Sequence, residues 1–329
     1  MRVLAGDIGG TKTALAIVRI DKMRQSILRM EKYPSGDYPG LEEIVQEFLS
    51  AEPSVPAAAG FGVAGPVRGG VARITKLPWR LEARRFARRT GIRRVALLND
   101  FVAAAMGLPY LRQSQTVTLS PGRPEKNGPL AILGAGTGLG QAGVVRVAGR
   151  FEAVPSEGGH ADFGPRSPIE DRLVVFLRRR FGRASRDRIL SGGGLALIYE
   201  FLKRDGFARE QRAVAAELES ASDRAAVISR LGLSGRDKLS RGALETFVSI
   251  YGSEAGNLAL QYRATGGVYV GGGIAPKILR ALRRPEFLRS FRSKPPMEQL
   301  LARMPVRVVL DSRLALYGAA AAAYSTEIE

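Results

Sequence analysis

Residues 6–13 read Gly6-Asp7-Ile8-Gly9-Gly10-Thr11-Lys12-Thr13 and follow the apolar run Val3-Leu4-Ala5. A second glycine-rich stretch reads Gly134-Ala135-Gly136-Thr137-Gly138-Leu139-Gly140 and follows Leu130-Ala131-Ile132-Leu133. Each stretch contains a threonine and stands between two predicted strands. This recurring strand–turn–strand unit indicates two similar α/β lobes that hold one phosphate chain from opposite sides.

Glycine suits a phosphate-binding turn because a Cβ would keep the backbone N–H donors away from the phosphate oxygens. An ordinary β-hairpin turn, where glycine is also common, is the alternative for either turn alone. Neither turn is a P-loop, and neither has the glycine spacing and following helix of the dinucleotide-binding fingerprint. The matched pair therefore predicts a nucleotide-dependent phosphotransferase.

The composition is that of a globular α/β protein, with 329 residues, 45% of them hydrophobic, and no cysteine. This length accommodates two domains with separate cores. The longest apolar runs are far shorter than the ~20 residues that span a bilayer. Asp7 and its neighbouring glycines interrupt any signal-peptide core, and the lack of cysteine is compatible with a reducing compartment. We therefore expect a cytoplasmic protein without a membrane partner.

The formal net charge is +19, and most of the basic residues are arginines. A basic surface concentrates nucleotides and polyphosphate and can hold nucleic acid non-specifically. An arginine bias of the genome or a need for ion pairs is the simpler explanation. No nucleic-acid-binding motif accompanies the charge, so no specific nucleic-acid partner is predicted. The local clusters are Arg84-Arg85, Arg88-Arg89, Arg93-Arg94, Arg178-Arg179-Arg180 and Arg283-Arg284.

Apolar periodicity predicts strands that meander and then alternate with helices, twice over, which is typical of a duplicated α/β architecture. A domain boundary is expected near 108–113, and 120–129 is predicted as a surface loop. The predicted strands are 3–5, 14–20, 26–32, 57–63, 94–98, 130–133, 141–147, 150–154, 268–270 and 306–310. The predicted helices are 41–50, 81–90, 101–108, 168–181, 193–204, 208–220, 244–263, one from Pro276, and 314–324.

Four further motifs stand in a fixed order with the glycine-rich stretches, the first of them between the two stretches. They are Leu98-Asn99-Asp100-Phe101, Glu157-Gly158-Gly159-His160-Ala161-Asp162-Phe163, Ile189-Leu190-Ser191-Gly192 and Gly271-Gly272-Gly273-Ile274. Together the motifs resemble the bacterial glucokinase family of the hexokinase–actin–Hsp70 superfamily over nearly the whole chain. The resemblance implies two ribonuclease-H-like (actin-like ATPase) α/β domains with a hinged cleft. The implied small domain is 1–110 plus about 311–329, and the large domain is 111–310.

The resemblance also implies an activity. It is the transfer of the γ-phosphoryl group of Mg-ATP to the 6-hydroxyl of glucose, giving glucose 6-phosphate and ADP, by a homodimer that acts in glycolysis. The related ROK kinases carry a zinc-binding cysteine cluster beyond a Glu-x-x-His motif. Because this chain has no cysteine, it resembles the ATP-type branch instead.

Asp100 is the predicted catalytic residue. It stands between a predicted buried strand and a helix, a position from which a side chain projects into a cleft. Phosphoryl transfer to a sugar requires an oriented hydroxyl whose proton is accepted, and a carboxylate can do both. By resemblance Asp100 is the base toward the 6-hydroxyl. The alternative is that Asp100 only caps the helix, a role that Asn99 could equally fill.

Sugar hydroxyls donate and accept hydrogen bonds together, so carboxylate, amide and imidazole groups suit them. By resemblance, the residues expected to bind the sugar are Asn99, Asp100, Glu157, His160 and Asp187. Asp187 departs from the glutamate that the family commonly has shortly before Leu-Ser-Gly. Lys76 stands where relatives usually have the asparagine of Thr-Asn-Leu-Pro-Trp, and it either alters sugar preference or points to solvent.

By resemblance, both glycine turns and the last glycine motif are expected to bind the nucleotide. The assigned residues are Gly6, Asp7, Ile8, Gly9, Gly10, Thr11, Gly136, Thr137, Gly138, Gly272 and Gly273. Asp7 is expected to hold Mg²⁺ through water, because Mg²⁺ keeps much of its hydration shell. Gly272 and Gly273 are expected to leave room for the flat base, and a plain strand-to-helix turn is their alternative.

Three other functions compete with ATP-dependent glucose phosphorylation. A kinase for another hexose, or one that uses polyphosphate, is the nearest, and the arginine-rich surface keeps the polyphosphate option open. A non-catalytic sugar-sensing regulator is disfavoured by Asp100 and by the absence of an added DNA-binding segment before Met1. An actin- or Hsp70-like ATPase is disfavoured because Glu157 and His160 would have no role in it.

Overall fold

A computed structural model describes residues 1–21 and 24–325 of the chain, which form a mixed α/β fold, as predicted. The last four residues of the expected small domain, 326–329, lie outside the described residues. The strands are β1 (Arg2–Ile8), β2 (Lys12–Asp21), β3 (Arg24–Pro34), β4 (Ala58–Val63), β5 (Val67–Arg68), β6 (Val71–Arg73), β7 (Arg80–Glu82), β8 (Arg94–Asn99), β9 (Thr116–Ser120), β10 (Leu130–Ala135), β11 (Leu139–Val147), β12 (Arg150–Ser156), β13 (Gly267–Gly271) and β14 (Val306–Val309).

The α-helices alternate with groups of strands along the chain. They are α1 (Leu41–Leu49), α2 (Ala83–Thr90), α3 (Asp100–Gly107), α4 (Pro168–Phe181), α5 (Arg186–Ile189), α6 (Gly192–Arg204), α7 (Arg212–Ser220), α8 (Arg224–Ser234), α9 (Lys238–Gln261), α10 (Leu279–Leu282), α11 (Pro285–Arg292), α12 (Glu298–Arg303) and α13 (Leu314–Ser325). Within the described residues, no helix is both long enough and apolar enough to cross a membrane.

The chain divides into two compact units. The first comprises 1–115, 144–155 and 311–329, as far as these residues are described, and the second comprises 116–143 and 156–310. The domain bounds expected from the sequence remain a prediction.

The first unit is built on a five-stranded sheet with the order β3-β2-β1-β4-β8. Strand β1 runs antiparallel to β2 and parallel to β4, which in turn is parallel to β8. Successive side chains of β1 enter opposite cores, as the period of two in a strand requires. Leu4 packs with the aromatic core around Phe48 and Phe61, whereas Val3 and Ala5 pack with α13.

Helix α13 lies close against strand β4. A Cβ on Gly60 would lie 1.9 Å from the carbonyl oxygen of Ala319. Only glycine permits this approach of helix backbone to strand backbone. The approach brings the alanine-rich face of α13 onto the sheet and holds the ends of β1, β4 and β8 in one layer.

A small sheet of β5, β6 and β7 interrupts the path between β4 and α2, and the sequence did not predict it. Its strands have only two or three residues each, which is too short for a period of two to be recognised. The turn between β6 and β7 puts Lys76 at φ 71°, in the left-handed region. The same turn lies against the first glycine turn, since a Cβ on Gly10 would lie 2.5 Å from the Thr75 carbonyl oxygen.

Replacing Lys76 by asparagine is expected to raise the free energy of unfolding by roughly 0.5–1 kcal/mol, because asparagine tolerates left-handed backbone better than lysine does. Urea titration would measure this change. Lys126→Asn is a matched control, because Lys126 is an exposed loop residue whose φ lies outside the left-handed region. An equal gain in both variants would show that backbone conformation is not the cause.

The second unit contains a sheet with the order β11-β10-β13-β14-β9. Strands β10, β13 and β14 are parallel, and β9 pairs antiparallel with β14. Helix α9 is the centre of the helical layer and is almost entirely buried. It begins at Lys238, six residues before the predicted start, because the buried Asp237 caps it by accepting a hydrogen bond of 2.7 Å from the Ser240 N–H.

Two features of the second unit differ from the predictions. The predicted start of the helix at Pro276 is wrong, because residues 275–278 form turns and α10 begins only at Leu279. Helices α5, α8, α11 and α12 and strand β9 were not predicted, because their apolar stretches are short. The predicted loop was correct from residue 121 onward.

Candidate active site

The first glycine turn is a β-hairpin turn between β1 and β2. The Gly9 N–H donates to the Lys12 carbonyl at 3.1 Å, which closes the turn. Gly6 and Ile8 belong to strand β1, and the Ile8 side chain is fully buried. A phosphate contact expected of Ile8 is therefore limited to its backbone, whereas Thr11 is exposed at the tip.

Asp7 and Asp100 bring two carboxylates together in the first unit. Asp7 lies near the end of β1, and Asp100 opens α3 directly after β8. Between these strands Gly62 leaves space, since a Cβ there would lie 2.8 Å from the Ala103 Cβ and 3.6 Å from the Asp100 Cα. Burial, and secondly the charge of Asp100, raise the pKa of Asp7 to about 6.

Asn99, not Asp100, is the N-cap of α3. Its Oδ1 accepts from the Phe101 N–H at 3.0 Å and from the Val102 N–H at 3.3 Å. Its Nδ2 donates to the Gly65 carbonyl at 3.2 Å. Asp100 Oδ1 accepts a bond of 2.8 Å from the same Phe101 N–H. The side chain of Asn99 thus fixes the start of α3, and with it the position of the Asp100 carboxylate.

The second glycine turn joins β10 to β11 in the second unit. The Gly136 N–H donates to the Gly138 carbonyl at 2.8 Å, and the Gly136 carbonyl accepts from the Gly192 N–H at 3.0 Å. Asp187, a predicted sugar ligand, accepts a hydrogen bond of 2.8 Å from the Leu139 N–H. A Cβ on Gly138 would lie 2.4 Å from Asp187 Oδ1. Asp187 therefore holds the turn in place, and Gly138 is needed for that contact.

A cavity of about 430 Å³ opens beside this turn, within the second unit. The N-termini of α6 and α8 both border it, and their free N–H groups favour anions. Ser191 caps α6 through the Gly194 N–H at 3.1 Å, and Asp223 caps α8 through the Ala226 N–H at 3.0 Å. The lining residues are Gly136, Thr137, Gly192, Gly193, Leu195, Asp223, Ala225, Ala226, Ser229, Gly273, Ile274, Lys277 and Ile278.

The cavity combines some predicted nucleotide residues with others that sequence reasoning missed. Gly136, Thr137 and Gly273 line it, whereas Gly138 and Gly272 are absent from its lining. Gly272 has φ 78°, and a Cβ on it would lie 2.5 Å from the Ala135 carbonyl oxygen, so it serves the turn after β13. The N-terminus of α6 was not predicted as part of the site, although the Ser-Gly-Gly-Gly run at 191–194 indicates it. This run combines a serine that can cap the helix with a first turn that carries no side chains. Lys277 and the start of α8 had no such signal.

Glu157 and His160 lie on one exposed turn of the second unit, with 89% and 68% of their side chains accessible. Glu157 Oε2 and His160 Nε2 are 4.0 Å apart. The intervening glycines are required by close packing: a Cβ on Gly159 would lie 2.1 Å from the Leu139 carbonyl oxygen. A Cβ on Gly158 would lie 2.2 Å from Gln141 Oε1. The turn therefore presents a carboxylate and an imidazole side by side.

A buried polar network that the sequence did not predict supports this turn. Gln141 Nε2 donates to Glu254 Oε1 at 2.6 Å, and Arg186 Nη1 donates to the same oxygen at 2.9 Å. The Glu254 carboxylate is almost fully buried and is thus paired with a cation, as a buried charge requires. The network connects β11, α5 and α9 beneath the Glu157–His160 turn.

Comparisons with known proteins agree on one family. The profile of the family described as Glucokinase matches residues 4–326. A glucokinase from a Nostoc species is 40% identical over 333 residues, which cover 97% of each protein. A glucokinase from Synechocystis is also 40% identical, over 344 residues and 97% of each protein.

Solved structures extend the comparison to the fold. The crystal structure of a glucokinase from an Antarctic psychrotroph has a TM-score of 0.86 at 30% identity and covers 98% of this chain and 99% of its own. A ROK family glucokinase from Streptomyces griseus, in complex with glucose and AMPPNP, has a TM-score of 0.64 at 22% identity, covering 99% and 100%. At an identity this low, the second structure supports only the fold, which is the actin-like ATPase fold that sugar kinases share.

Proposed function

We propose residue roles for one reaction, on the premise that this chain belongs to the glucokinase family. The chain is an ATP-dependent hexose kinase, and its reaction is the transfer of a phosphoryl group from ATP to glucose. The proposed roles rest mainly on the cavity beside the second glycine turn, which is bordered by two helix N-termini and by Lys277. The reaction can be tested by assaying the purified protein with a panel of sugars and phosphoryl donors. Glucose with ATP is expected to give the highest kcat/KM.

ATP is the ligand that suits this cavity. The free N–H groups at the start of α6 and α8 and the Thr137 hydroxyl can donate to phosphate oxygens, and Lys277 can neutralise their charge. Ile274 is half-buried and offers apolar surface for a base, whereas Leu195 and Ile278 line the cavity but are almost fully buried. The volume of about 430 Å³ is in the range of small-molecule sites. The first glycine turn, with Thr11 at its tip, is proposed as a second phosphate contact.

Asp100 is the proposed general base. Its carboxylate accepts the proton of the glucose 6-hydroxyl while the bond from O6 to the γ-phosphorus forms and the bond from that phosphorus to the β–γ bridging oxygen breaks. The products are glucose 6-phosphate and ADP. Asn99 positions Asp100 through its bonds to the α3 backbone and remains a proposed sugar contact.

Magnesium fits the residues of the first unit. The burial of Asp7 and the nearby charge of Asp100 raise the pKa of Asp7 to about 6, and a divalent cation would offset both effects. We propose that Asp7 holds Mg²⁺ through water. When bound, the ion neutralises charge on the phosphates of ATP. Among residues 1–21 and 24–325 no cluster of three or more His, Asp or Glu side chains could hold a metal, and Mg²⁺ at kinase sites typically takes one or two carboxylates plus phosphates.

Replacing Asp7 by asparagine is expected to raise the Mg²⁺ concentration for half-maximal activity by about tenfold or more, since the charged oxygen that accepts hydrogen bonds from the water ligands of the ion is lost. The glucose Kd, measured by calorimetry, is expected to stay the same. Asp21→Asn, at an exposed carboxylate of the same unit, is the control and should leave the Mg²⁺ dependence unaltered. Identical Mg²⁺ dependence in the Asp7 variant and wild type would remove Asp7 from the proposed site.

Glu157, His160 and Asp187 are the proposed sugar contacts of the second unit. Replacing Glu157 by alanine is expected to raise the glucose KM by about 10- to 100-fold, because a hydrogen bond to a charged group is worth roughly 1.5–3 kcal/mol. Glu219→Ala, at an exposed carboxylate on α7, serves as the control. If the Glu157 variant keeps the wild-type glucose KM, the turn that carries Glu157 is not a sugar site.

Further properties are proposed on the family relationship. They are membership of the ATP-type rather than the ROK branch, a homodimer, a cytoplasmic location and a role in glycolysis. The absence of cysteine from the sequence supports the first, because the ROK kinases carry a zinc-binding cysteine cluster. Sedimentation analysis at several concentrations would test the homodimer. The two domains are proposed to follow the bounds 1–110 with about 311–329, and 111–310.

A further inference from the structure

Helix α2 and the segment after it surround an open groove of about 470 Å³ in the first unit, which we call the α2 groove. Its charged lining residues are arginines only, and all three are exposed. The floor between them is small and aliphatic. The lining residues are Ala83, Arg84, Ala87, Arg88, Arg93 and Val95.

The arginines of the α2 groove have no acidic partner to offset their charge. Arg89, on the same helix, lies 3.1 Å from Glu43 and 3.6 Å from Glu42. In the part of the chain that the structure describes, neither Arg84 nor Arg88 nor Arg93 forms an ion pair within 4 Å. The arginines of the α2 groove therefore differ from Arg89 on the same helix, which is paired with acidic residues.

The placement of Arg84 is unfavourable for the helix itself. Arg84 lies in the first turn of α2, where the macrodipole is positive, and the side chain of the N-cap residue Glu82 makes no capping hydrogen bond there. Arg84 and Arg88 are four residues apart, so two like charges share one face. An anion in the α2 groove would relieve both repulsions.

A second arginine-rich cavity, of about 710 Å³ between α4 and α6, does not share this property. There Arg172 forms a bidentate pair with Asp205, at 2.9 Å for both Nε–Oδ1 and Nη2–Oδ2. Arg180 donates to Glu200 at 2.5 Å. The acidic side chains that line this cavity pair with three of its four guanidinium groups, those of Arg172, Arg180 and Arg204, so the α2 groove is the stronger candidate for an anion.

The chemistry of the α2 groove favours phosphates without bases. Phe86 is the only aromatic residue of α2, and it is buried, with its ring 5.1 Å from that of Phe61. That contact anchors the helix and leaves no aromatic ring on the groove for a nucleobase to stack on, as single-stranded nucleic acid sites commonly offer. Guanidinium groups bind phosphate oxygens by charge-assisted, often bidentate, hydrogen bonds.

We propose that the α2 groove binds a chain of phosphate groups, as in inorganic polyphosphate, through Arg84, Arg88 and Arg93. The ligand contributes several negative charges in a row, and the three guanidinium groups contact successive phosphates. The groove belongs to the first unit, whereas the proposed nucleotide cavity belongs to the second. Binding there does not require that polyphosphate serve as the phosphoryl donor.

The test measures the binding of end-labelled inorganic polyphosphate to the full chain by fluorescence anisotropy, with excess AMPPNP present to fill the nucleotide cavity. The groove variant combines R84Q, R88Q and R93Q. The control variant combines R209Q, R212Q and R236Q, which changes three exposed arginines of the second unit without a recorded acidic partner. Both variants lower the net charge from +19 to +16 (19 − 3). ATP-dependent glucose phosphorylation reports that each variant is folded.

The groove variant is expected to lose about tenfold or more in polyphosphate affinity, since three charge-assisted contacts are removed, while the control variant keeps near-wild-type affinity. Unlabelled tripolyphosphate should compete more strongly than orthophosphate. An equal loss in both variants would overturn the proposal, because it would reflect net charge alone. Unchanged binding in the groove variant would overturn it too. Equal competition by a single-stranded oligonucleotide of the same charge would also overturn the proposal, because the groove would then show no preference for a phosphate chain without bases.

Discussion

Replacing Asp100 by asparagine is expected to lower kcat by about 10²- to 10⁴-fold, the range that general-base catalysis contributes. Asparagine has the same shape and retains an oxygen that can accept the 2.8 Å hydrogen bond from the Phe101 N–H. It cannot take the proton of a sugar hydroxyl. The glucose Kd should therefore change little. A coupled assay of glucose 6-phosphate formation gives kcat, and calorimetry gives the Kd.

The control for this variant is Asp37→Asn, at an exposed carboxylate of the first unit, which should leave kcat and Kd unaltered. Removal of the Asp100 charge also relieves its repulsion of Asp7, so a loss of stability would not explain a loss of turnover. A near-normal kcat in the Asp100 variant would show that another group accepts the proton.

Replacing Gly273 by leucine is expected to raise the ATP Kd by about 100-fold or more, a loss of roughly 2.8 kcal/mol. Gly273 lines the cavity, and no atom lies within 4 Å of a Cβ built on it. Its φ lies outside the left-handed region, so leucine enters without backbone strain and occupies space that the base and ribose need. Binding of AMPPNP by calorimetry measures the effect.

Gly164→Leu is the matched control for the cavity. Gly164 is an exposed glycine of the same unit, it also has no neighbour within 4 Å of a built Cβ, and it lies outside the cavity lining. The control variant should bind AMPPNP as wild type does. The Gly273 variant should still bind glucose. Unaltered AMPPNP affinity in the Gly273 variant would place the nucleotide somewhere else.

Local sequence patterns predicted those parts of the site that lie within one strand–turn–strand unit. The spacing around Gly9 and Gly10 indicated a turn between two strands, and the structure has a hairpin there. The apolar run before Asn99 predicted a strand over 94–98 directly before Asn99 and Asp100, and strand β8 ends at Asn99, one residue later. In both cases neighbouring residues alone determine the backbone conformation.

The cavity could not be predicted in full, because it depends on contacts between distant segments. Nothing in the sequence relates Lys277 or the start of α8 to Gly136, since only the packing of α6 and α8 against each other and against α9 brings them together. Similarly, no local pattern shows that Asp187 accepts a hydrogen bond from the Leu139 N–H. Gly272 was assigned to the nucleotide by resemblance, yet its positive φ and its approach to Ala135 explain it without a ligand.

The most direct test of the account is a crystal structure of the protein with glucose and AMPPNP. The account predicts that glucose O6 lies about 2.6–3.2 Å from an Asp100 carboxylate oxygen, within hydrogen-bond reach of a base. It also predicts that AMPPNP occupies the cavity lined by Gly136, Thr137 and Gly273. Glucose bound with O6 directed away from Asp100, or a nucleotide bound outside that cavity, would contradict it.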